Sequence, residues 1–326
     1  MPIVKCQWCG ETFWETDLSD RNEQGFWCDV CEGFTFFDAQ EQGSHRLLLL
    51  LEQKSNASEG ALSVAPAVKL RKQLSPLRYP GGKSKLIDYL YSKLSAEKLD
   101  TFVEIFAGGA SLGLSLLDAG IIRHLVLNDK DPGVYALWKV ILECPRELLD
   151  RLHGPVPSHG ELAKAKAILA TGDAAEGLVA WSFLLSNRLS YSGIISANPL
   201  GGKNGTQEAL LARWNPKKLE ERILQIHEMK ERITVYNQDA CQFLTETGYW
   251  HRNSTCFIDP PYYVKGPKLY PCFYTEKDHK ELAWCLQALY KETPEADLII
   301  TYDDHPFIRA LYPLAHHEVV SRRYSV

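Results

Sequence analysis

Residues 101–129 constrain this chain more than any other stretch. Thr101 to Phe106 is an alternating, largely apolar run suited to a buried strand, and Ala107-Gly108-Gly109-Ala110-Ser111 follows it at once. The glycines permit a tight turn and close backbone approach to a ligand, and Leu112 to Leu117 resumes at helical spacing. A second strand-like run, His124 to Leu127, ends in Asn128-Asp129. Strand, glycine turn, helix and strand in that order predict a nucleotide-binding βαβ unit, with Asp129 placed for ribose hydroxyls. The dehydrogenase fingerprint Gly-x-Gly-x-x-Gly is not met, because the row reads Gly108-Gly109-Ala110-Ser111-Leu112-Gly113.

A second buried run, Thr255 to Ile258, closes in Asp259-Pro260-Pro261-Tyr262. This places a carboxylate, two rigid prolines and an aromatic ring at the mouth of a strand. Asp259 and a main-chain carbonyl held by proline geometry can both accept hydrogen bonds from an exocyclic amine, pulling its lone pair out of conjugation with a base. The Tyr262 ring offers a face on which an extruded base can stack. Upstream, the loop Leu77-Arg78-Tyr79-Pro80-Gly81-Gly82-Lys83-Ser84-Lys85 presents a lysine before a helix-like stretch, Leu86 to Leu94. Phosphate-loop spacing is missing, so Lys83 instead suits the carboxylate of an amino-acid-like cofactor.

In this order the three segments resemble the Dam-type DNA adenine-N6 methyltransferases, which use S-adenosylmethionine. The family's aromatic-x-Gly-Gly-Lys loop is matched by Tyr79 to Lys83, and its Glu-Pro-Phe-x-Gly-x-Gly loop by Glu104 to Ala110. Ile105 and Ala110 replace a proline and a glycine. Asp129-Lys130-Asp131 is similar to the family's Asp-Ile-Asn, and Asp-Pro-Pro-Tyr is matched in full at 259–262. The resemblance covers roughly 74–326. It implies an α/β fold, a Rossmann-like methyltransferase sheet with helices on both faces. It further implies that Tyr79 and Lys83 contact the methionine end of the cofactor and Phe106 and Gly108 its body, with Gly82 and Glu104 also among the cofactor-binding residues. Asp129 would lie at its ribose and Asp239 at its adenine, although Asp239 reads equally well as a helix N-cap. Asp259, Pro260 and Tyr262 would carry direct transfer of methyl to adenine N6, with no covalent enzyme intermediate.

Residues 133–232 are too long for a simple crossover. Val134 to Leu142, Glu161 to Ala170 and Gly177 to Leu185 read as helices, which makes about 145–230 a helical insertion. Ser186-Asn187-Arg188-Leu189-Ser190-Tyr191-Ser192-Gly193 resembles the family's target-recognition stretch. Arg188, Tyr191, Lys203, Asn204 and Arg213 are therefore candidates for contact with double-stranded DNA, joined by Lys265 beside the catalytic motif. Arg213-Trp214-Asn215-Pro216 could equally start a helix, and Lys265 could be a solvated loop charge.

At the N-terminus, Cys6-Gln-Trp-Cys9 and Cys28-Asp-Val-Cys31 form two Cys-x-x-Cys knuckles separated by eighteen residues. Four such thiolates can close a tetrahedron around a structural zinc, as in a zinc ribbon, with redox dithiols or iron as alternatives. The expected organisation is a zinc module at 1–45, a linker at 46–73 and the methyltransferase domain at 74–326. Net charge is −5, but residues 1–60 hold four Lys/Arg against eleven Asp/Glu, which leaves the remainder at +2. Residues 64–87 carry six basic side chains and no acid, and such local clusters decide phosphate contact more than the total does. The acidic module favours a protein partner over phosphate. Leu47 to Leu51 is far too short to span a membrane, and scattered single cysteines fit a reducing cytoplasm. Cytosine-N4 or another amine methyltransferase is the nearest rival, and a non-catalytic zinc-bearing DNA-binding or adaptor protein on the same scaffold is the rival from another class.

Overall fold

The computed structural model describes residues 70–71, 73–78, 83, 86–95, 98–249, 253–264, 266, 272–294 and 296–320, together with six N-terminal strands as backbone. Those six are β1 (Ile3–Lys5), β2 (Thr12–Trp14), β3 (Arg21–Asn22), β4 (Gly25–Cys28), β5 (Gly33–Phe36) and β6 (Arg46–Leu51). Antiparallel pairing joins β1 to β2, and β3 and β5 flank β4.

Six further strands follow: β7 (Thr101–Glu104), β8 (His124–Asn128), β9 (Ile233–Tyr236), β10 (Ser254–Ile258), β11 (Asp297–Asp303) and β12 (His316–Val320). With β6 they form a sheet in the order β12-β6-β11-β10-β7-β8-β9. The five strands from β11 to β9 are parallel. Residues 46–51, expected to begin a linker, are instead a sheet strand, antiparallel to both β11 and β12. A linker could begin only after Leu51.

Strand sequence explains why the sheet is covered on both sides. Phe102, Leu125, Leu127, Phe257 and Ile299 enter one core, while their neighbours Val103, Val126, Cys256, Ile258, Leu298 and Ile300 enter the other. A parallel strand buried on both faces needs apolar residues at both parities, which is why these runs are nearly continuous in Val, Ile, Leu and Phe.

Eleven helices are described: α1 (Ile87–Tyr91), α2 (Ser111–Asp118), α3 (Pro132–Glu143), α4 (Arg146–Leu152), α5 (His159–Thr171), α6 (Glu176–Leu189), α7 (Gln207–Leu210), α8 (Pro216–Glu228), α9 (Ala240–Thr247), α10 (Glu276–Glu292) and α11 (Pro306–Leu311). Helices α1 to α6 and α8 supply or abut one core, α7 packs within the insertion through Leu210, and α9, α10 and α11 cover the other sheet face. The three helices expected at 134–142, 161–170 and 177–185 appear as α3, α5 and α6. The insertion has a small core of its own around Leu162, Leu185, Leu189 and Leu210. Helix α1 is shorter than the expected 86–94.

Candidate active site

Strand order reverses between β7 and β10. From β7 the chain moves outward through β8 to β9, then returns to lay β10 on the other side of β7. Loops leaving the C-terminal ends of β7 and β10 therefore diverge, and a crevice opens there. The cavity at this point is lined by Lys83, Glu104, Gly108, Asp129, Asp259 and Tyr274, among others. Catalytic and cofactor candidates from three distant segments thus share one space.

The glycine turn is held by its neighbours. Gly108 takes φ 44°, its N–H donates to Asp129 Oδ2 at 2.8 Å, and its carbonyl accepts from Trp138 Nε1 at 3.0 Å. Ala110, which stands where the family pattern has glycine, takes φ 48° ahead of α2. A left-handed conformation at a residue with a Cβ costs about 1–2 kcal/mol, so this substitution leaves strain in the turn. Asn128 ties three strand ends together: Nδ2 donates to the Ile105 and Gln238 carbonyls at 3.0 and 3.1 Å, and Oδ1 accepts from Gln238 N at 3.1 Å.

Two carboxyls, buried Glu104 and half-buried Asp129, face the cavity with shifted protonation. Glu104 accepts from Gly113 N at 2.6 Å. Burial pushes its pKa up to about 8, aided by nearby Asp259 and opposed by the Gly113 N–H and Lys83. Asp129 rises to about 7, chiefly through burial and then through Asp131, while main-chain N–H groups of Asp131, Gly108 and Lys130 pull it down. A carboxylate offers about four lone-pair sites, so Asp129 keeps acceptor capacity for hydroxyl groups beyond these bonds. Phe106 and Tyr274 meet edge to face at 5.6 Å and form an aromatic wall.

Asp259 follows β10 directly. One oxygen, Oδ1, accepts from Thr301 Oγ1 at 2.6 Å, and the other, Oδ2, meets Lys83 Nζ in a short ion pair. Lys83 also donates to the Tyr262 hydroxyl at 3.0 Å and lies 5.3 Å from that ring's centroid. Tyr262 is itself buried. Pro261 lines the cavity beside Asp259.

Several expected positions fall elsewhere. Asp239 does not line the cavity; its Oδ1 caps α9 through Cys241 N at 3.0 Å and its Oδ2 pairs with Lys130 at 3.1 Å. The helix-cap alternative is the arrangement found. Arg188, expected at a DNA surface, is only 5% exposed. It lies in the last turn of α6, which packs against both α3 and α5, and its guanidinium donates to the Arg213 carbonyl at 2.8 Å. A helix enclosed on both sides turns even its polar residues inward, so Arg188 organises the insertion's interior. Arg213 is half-buried and leads into α8, where Asn215 caps Lys218 N at 3.1 Å. Tyr191 is half-buried in a 3-10 turn, whereas Lys203 and Asn204 stand exposed. Tyr79, Gly82 and Lys265 lie outside the described residues, as do the side chains of Cys6, Cys9, Cys28 and Cys31. Among the described residues no group of three or more His, Cys, Asp or Glu is disposed to hold a metal, and no helix is long and apolar enough to cross a membrane.

The donor set suits a nucleoside joined to an amino acid. A strand-end carboxyl, a glycine turn, an aromatic wall and a buried ammonium occupy one crevice. Residues 79–326 match the family described as D12 class N6 adenine-specific DNA methyltransferase. No curated protein matches the chain.

Proposed function

The chain belongs to the D12 class N6 adenine-specific DNA methyltransferases, which move methyl from S-adenosylmethionine to adenine N6 in DNA, and we propose how its own residues do this. The carrying observation is that Asp259, Lys83, the Gly108 turn and Asp129 line one cavity at the reversal of strand order. Lys83, with Tyr79 and Gly82, would hold the amino-acid end of the cofactor, Glu104, Phe106 and Gly108 its body, and Asp129 its ribose. The cofactor supplies an electrophilic methyl carbon on a sulfonium.

Asp259 accepts a hydrogen bond from the adenine amine, and the Pro260 carbonyl accepts a second. Both bonds strengthen as the nitrogen becomes tetrahedral, so they stabilise the transition state more than the ground state. A base inside a duplex cannot reach this crevice, so the adenine is extruded and stacks against Tyr262. Lys83 touches both Asp259 and Tyr262, which couples the cofactor end of the cavity to the catalytic carboxylate. Lys203 and Asn204, exposed on the insertion, are the surface candidates for DNA recognition.

For the N-terminal region we propose a four-cysteine zinc module that docks a protein partner. Both knuckles fall, in sequence, next to or between strands that pair antiparallel, β1 with β2 and β4 with β5. The full-length chain is expected to carry about one zinc, and Cys28→Ser is expected to release it. A metal content unchanged by that substitution contradicts the module.

Methylation of unmodified genomic DNA, followed by nucleoside analysis and site mapping, tests the catalytic reading. The expected product is N6-methyladenine in one short sequence context; N4-methylcytosine would instead support the cytosine alternative. A 2-aminopurine at the target position should brighten on binding, and unchanged fluorescence argues against extrusion.

A further inference from the structure

We infer that β11 is the positioning strand of the active site: Thr301 aims the Asp259 carboxyl, and Asp303 clamps the main chain beyond Tyr262. The inference rests on the reading of Asp259 as the catalytic carboxylate.

Strand β11 lies parallel to β10, with Ile300 opposite Ile258. Thr301 and Asp303 are two residues apart and so project to the same side of the sheet. Buried Thr301 donates its hydroxyl hydrogen to Asp259 Oδ1 at 2.6 Å. That bond occupies Oδ1, while Oδ2 pairs with the cavity-lining Lys83 and keeps a further lone pair for a substrate amine. Beyond the motif, Asp303 accepts from Tyr263 N through Oδ1 and from Val264 N through Oδ2, both at 2.9 Å.

The two bonds explain how a loop at the strand end holds one geometry. Pro260 and Pro261 fix their own φ angles but have no N–H to anchor them. Asp303 supplies the anchor on the far side, through two charge-assisted hydrogen bonds, so Tyr262 sits between two fixed points. The support is ordered in turn, because β11 pairs with β10 over Asp297–Ile300 and with β6 from Leu298 to Asp303, including Leu48 with Thr301 and Arg46 with Asp303. Side chains carried on a sheet strand hold a reacting group better than loop residues do.

A merely structural role for Thr301 makes a different prediction, since it would lower stability and cofactor affinity together with rate. The test uses the full-length chain. Cofactor affinity is measured by calorimetry, the single-turnover rate on duplex DNA with both substrates saturating, and amide exchange in the peptide spanning 259–264. Thr301→Val keeps the shape and removes the hydroxyl; its rate should fall on the order of 100-fold, with cofactor Kd within about twofold. Thr301→Ser restores the hydroxyl and should recover most of that rate. Asp303→Asn replaces one acceptor oxygen with a donor, and should lower the rate at least about tenfold while the Tyr263 and Val264 amides exchange faster.

A Thr301→Val rate within about twofold of wild type overturns the inference, as does failure of serine to rescue or loss of cofactor affinity in step with rate. Unchanged amide exchange in Asp303→Asn overturns the clamp whether or not the protein is active. Absence of methyl transfer by the wild-type chain on any DNA would instead sink the catalytic reading itself, a distinct result.

Discussion

Lys83 and Asp259, 176 residues apart in sequence, meet as an ion pair at the floor of the crevice. Lys83 is nearly inaccessible and Asp259 keeps 21% of its side chain exposed. Removing one partner of such a pair strands a charge. Lys83→Met is therefore expected to cost about 3 kcal/mol of stability, the low end for a buried pair because Asp259 is partly solvated. If Lys83 also holds the cofactor carboxylate, affinity should fall at least about tenfold in the same variant. Denaturant unfolding and a cofactor titration check the two effects separately.

Glu104 and Asp129 give the free protein a pH dependence of known sign. The folded pKa of Glu104 is about 8 against an ordinary 4.5, and that of Asp129 about 7 against 3.8. Both are raised, so the folded state prefers the protonated acids. Their contribution to stability is complete below the unfolded values and is lost as pH rises through about 7 for Asp129 and about 8 for Glu104. The thermal midpoint should accordingly fall between pH 5 and pH 8.5 more steeply in wild type than in Glu104→Gln, which cannot ionise yet keeps an acceptor for Gly113. Equal slopes contradict the assignment.

The insertion is stapled to Arg78, five residues before Lys83 in sequence. Buried Asn187 accepts from Arg78 N at 2.8 Å and donates to the Arg78 and Gly193 carbonyls, both at 2.9 Å. Gly193 takes φ +73°, and a Cβ there would stand 2.0 Å from the Arg78 carbonyl oxygen. Gly193→Ala should cost about 2–4 kcal/mol, from overpacking together with a left-handed backbone. Chemical denaturation measures this, and a loss under about 0.5 kcal/mol contradicts the staple.

Two truncations separate the N-terminal module from the sheet. A chain beginning at Arg46 retains β6, whereas one beginning at Glu52 loses the strand that pairs with both β11 and β12. Backbone groups of β11 would then be unpaired along one whole edge. The shorter chain is expected to melt several degrees lower and to transfer methyl more slowly, while the longer one keeps the stability of the full catalytic domain. Equal melting of the two chains refutes a structural role for β6.

Local physics made much of this legible. Continuous apolar runs announced β7, β8 and β10, because strands buried on both faces leave no room for polar alternation, and the glycine turn and Asp-Pro-Pro-Tyr lay at their ends. The insertion's helices followed from their spacing. Thr301, Asp303 and Asn128 were not legible, because a threonine or aspartate in a strand gains its meaning from the strand beside it, and register is not written in either segment alone. Tyr274 was missed for the same reason: it reaches Phe106 across 168 residues of sequence, without a motif. Arg188 was misplaced because residue type suggests a DNA contact while orientation depends on α3 and α5 closing over α6. The leucine run of β6 pairs with strands some 250 residues later, and nothing nearby signals a sheet.

Substitution of Asp259 by alanine, with methyl transfer and cofactor affinity measured on the same preparation, bears most directly on the central claim. Transfer should fall on the order of 1,000-fold while S-adenosylmethionine affinity changes by less than about fivefold, and Asp129→Ala should weaken that affinity at least about tenfold. Retained transfer in the Asp259 variant, or equal loss of cofactor binding in both variants, would contradict the account.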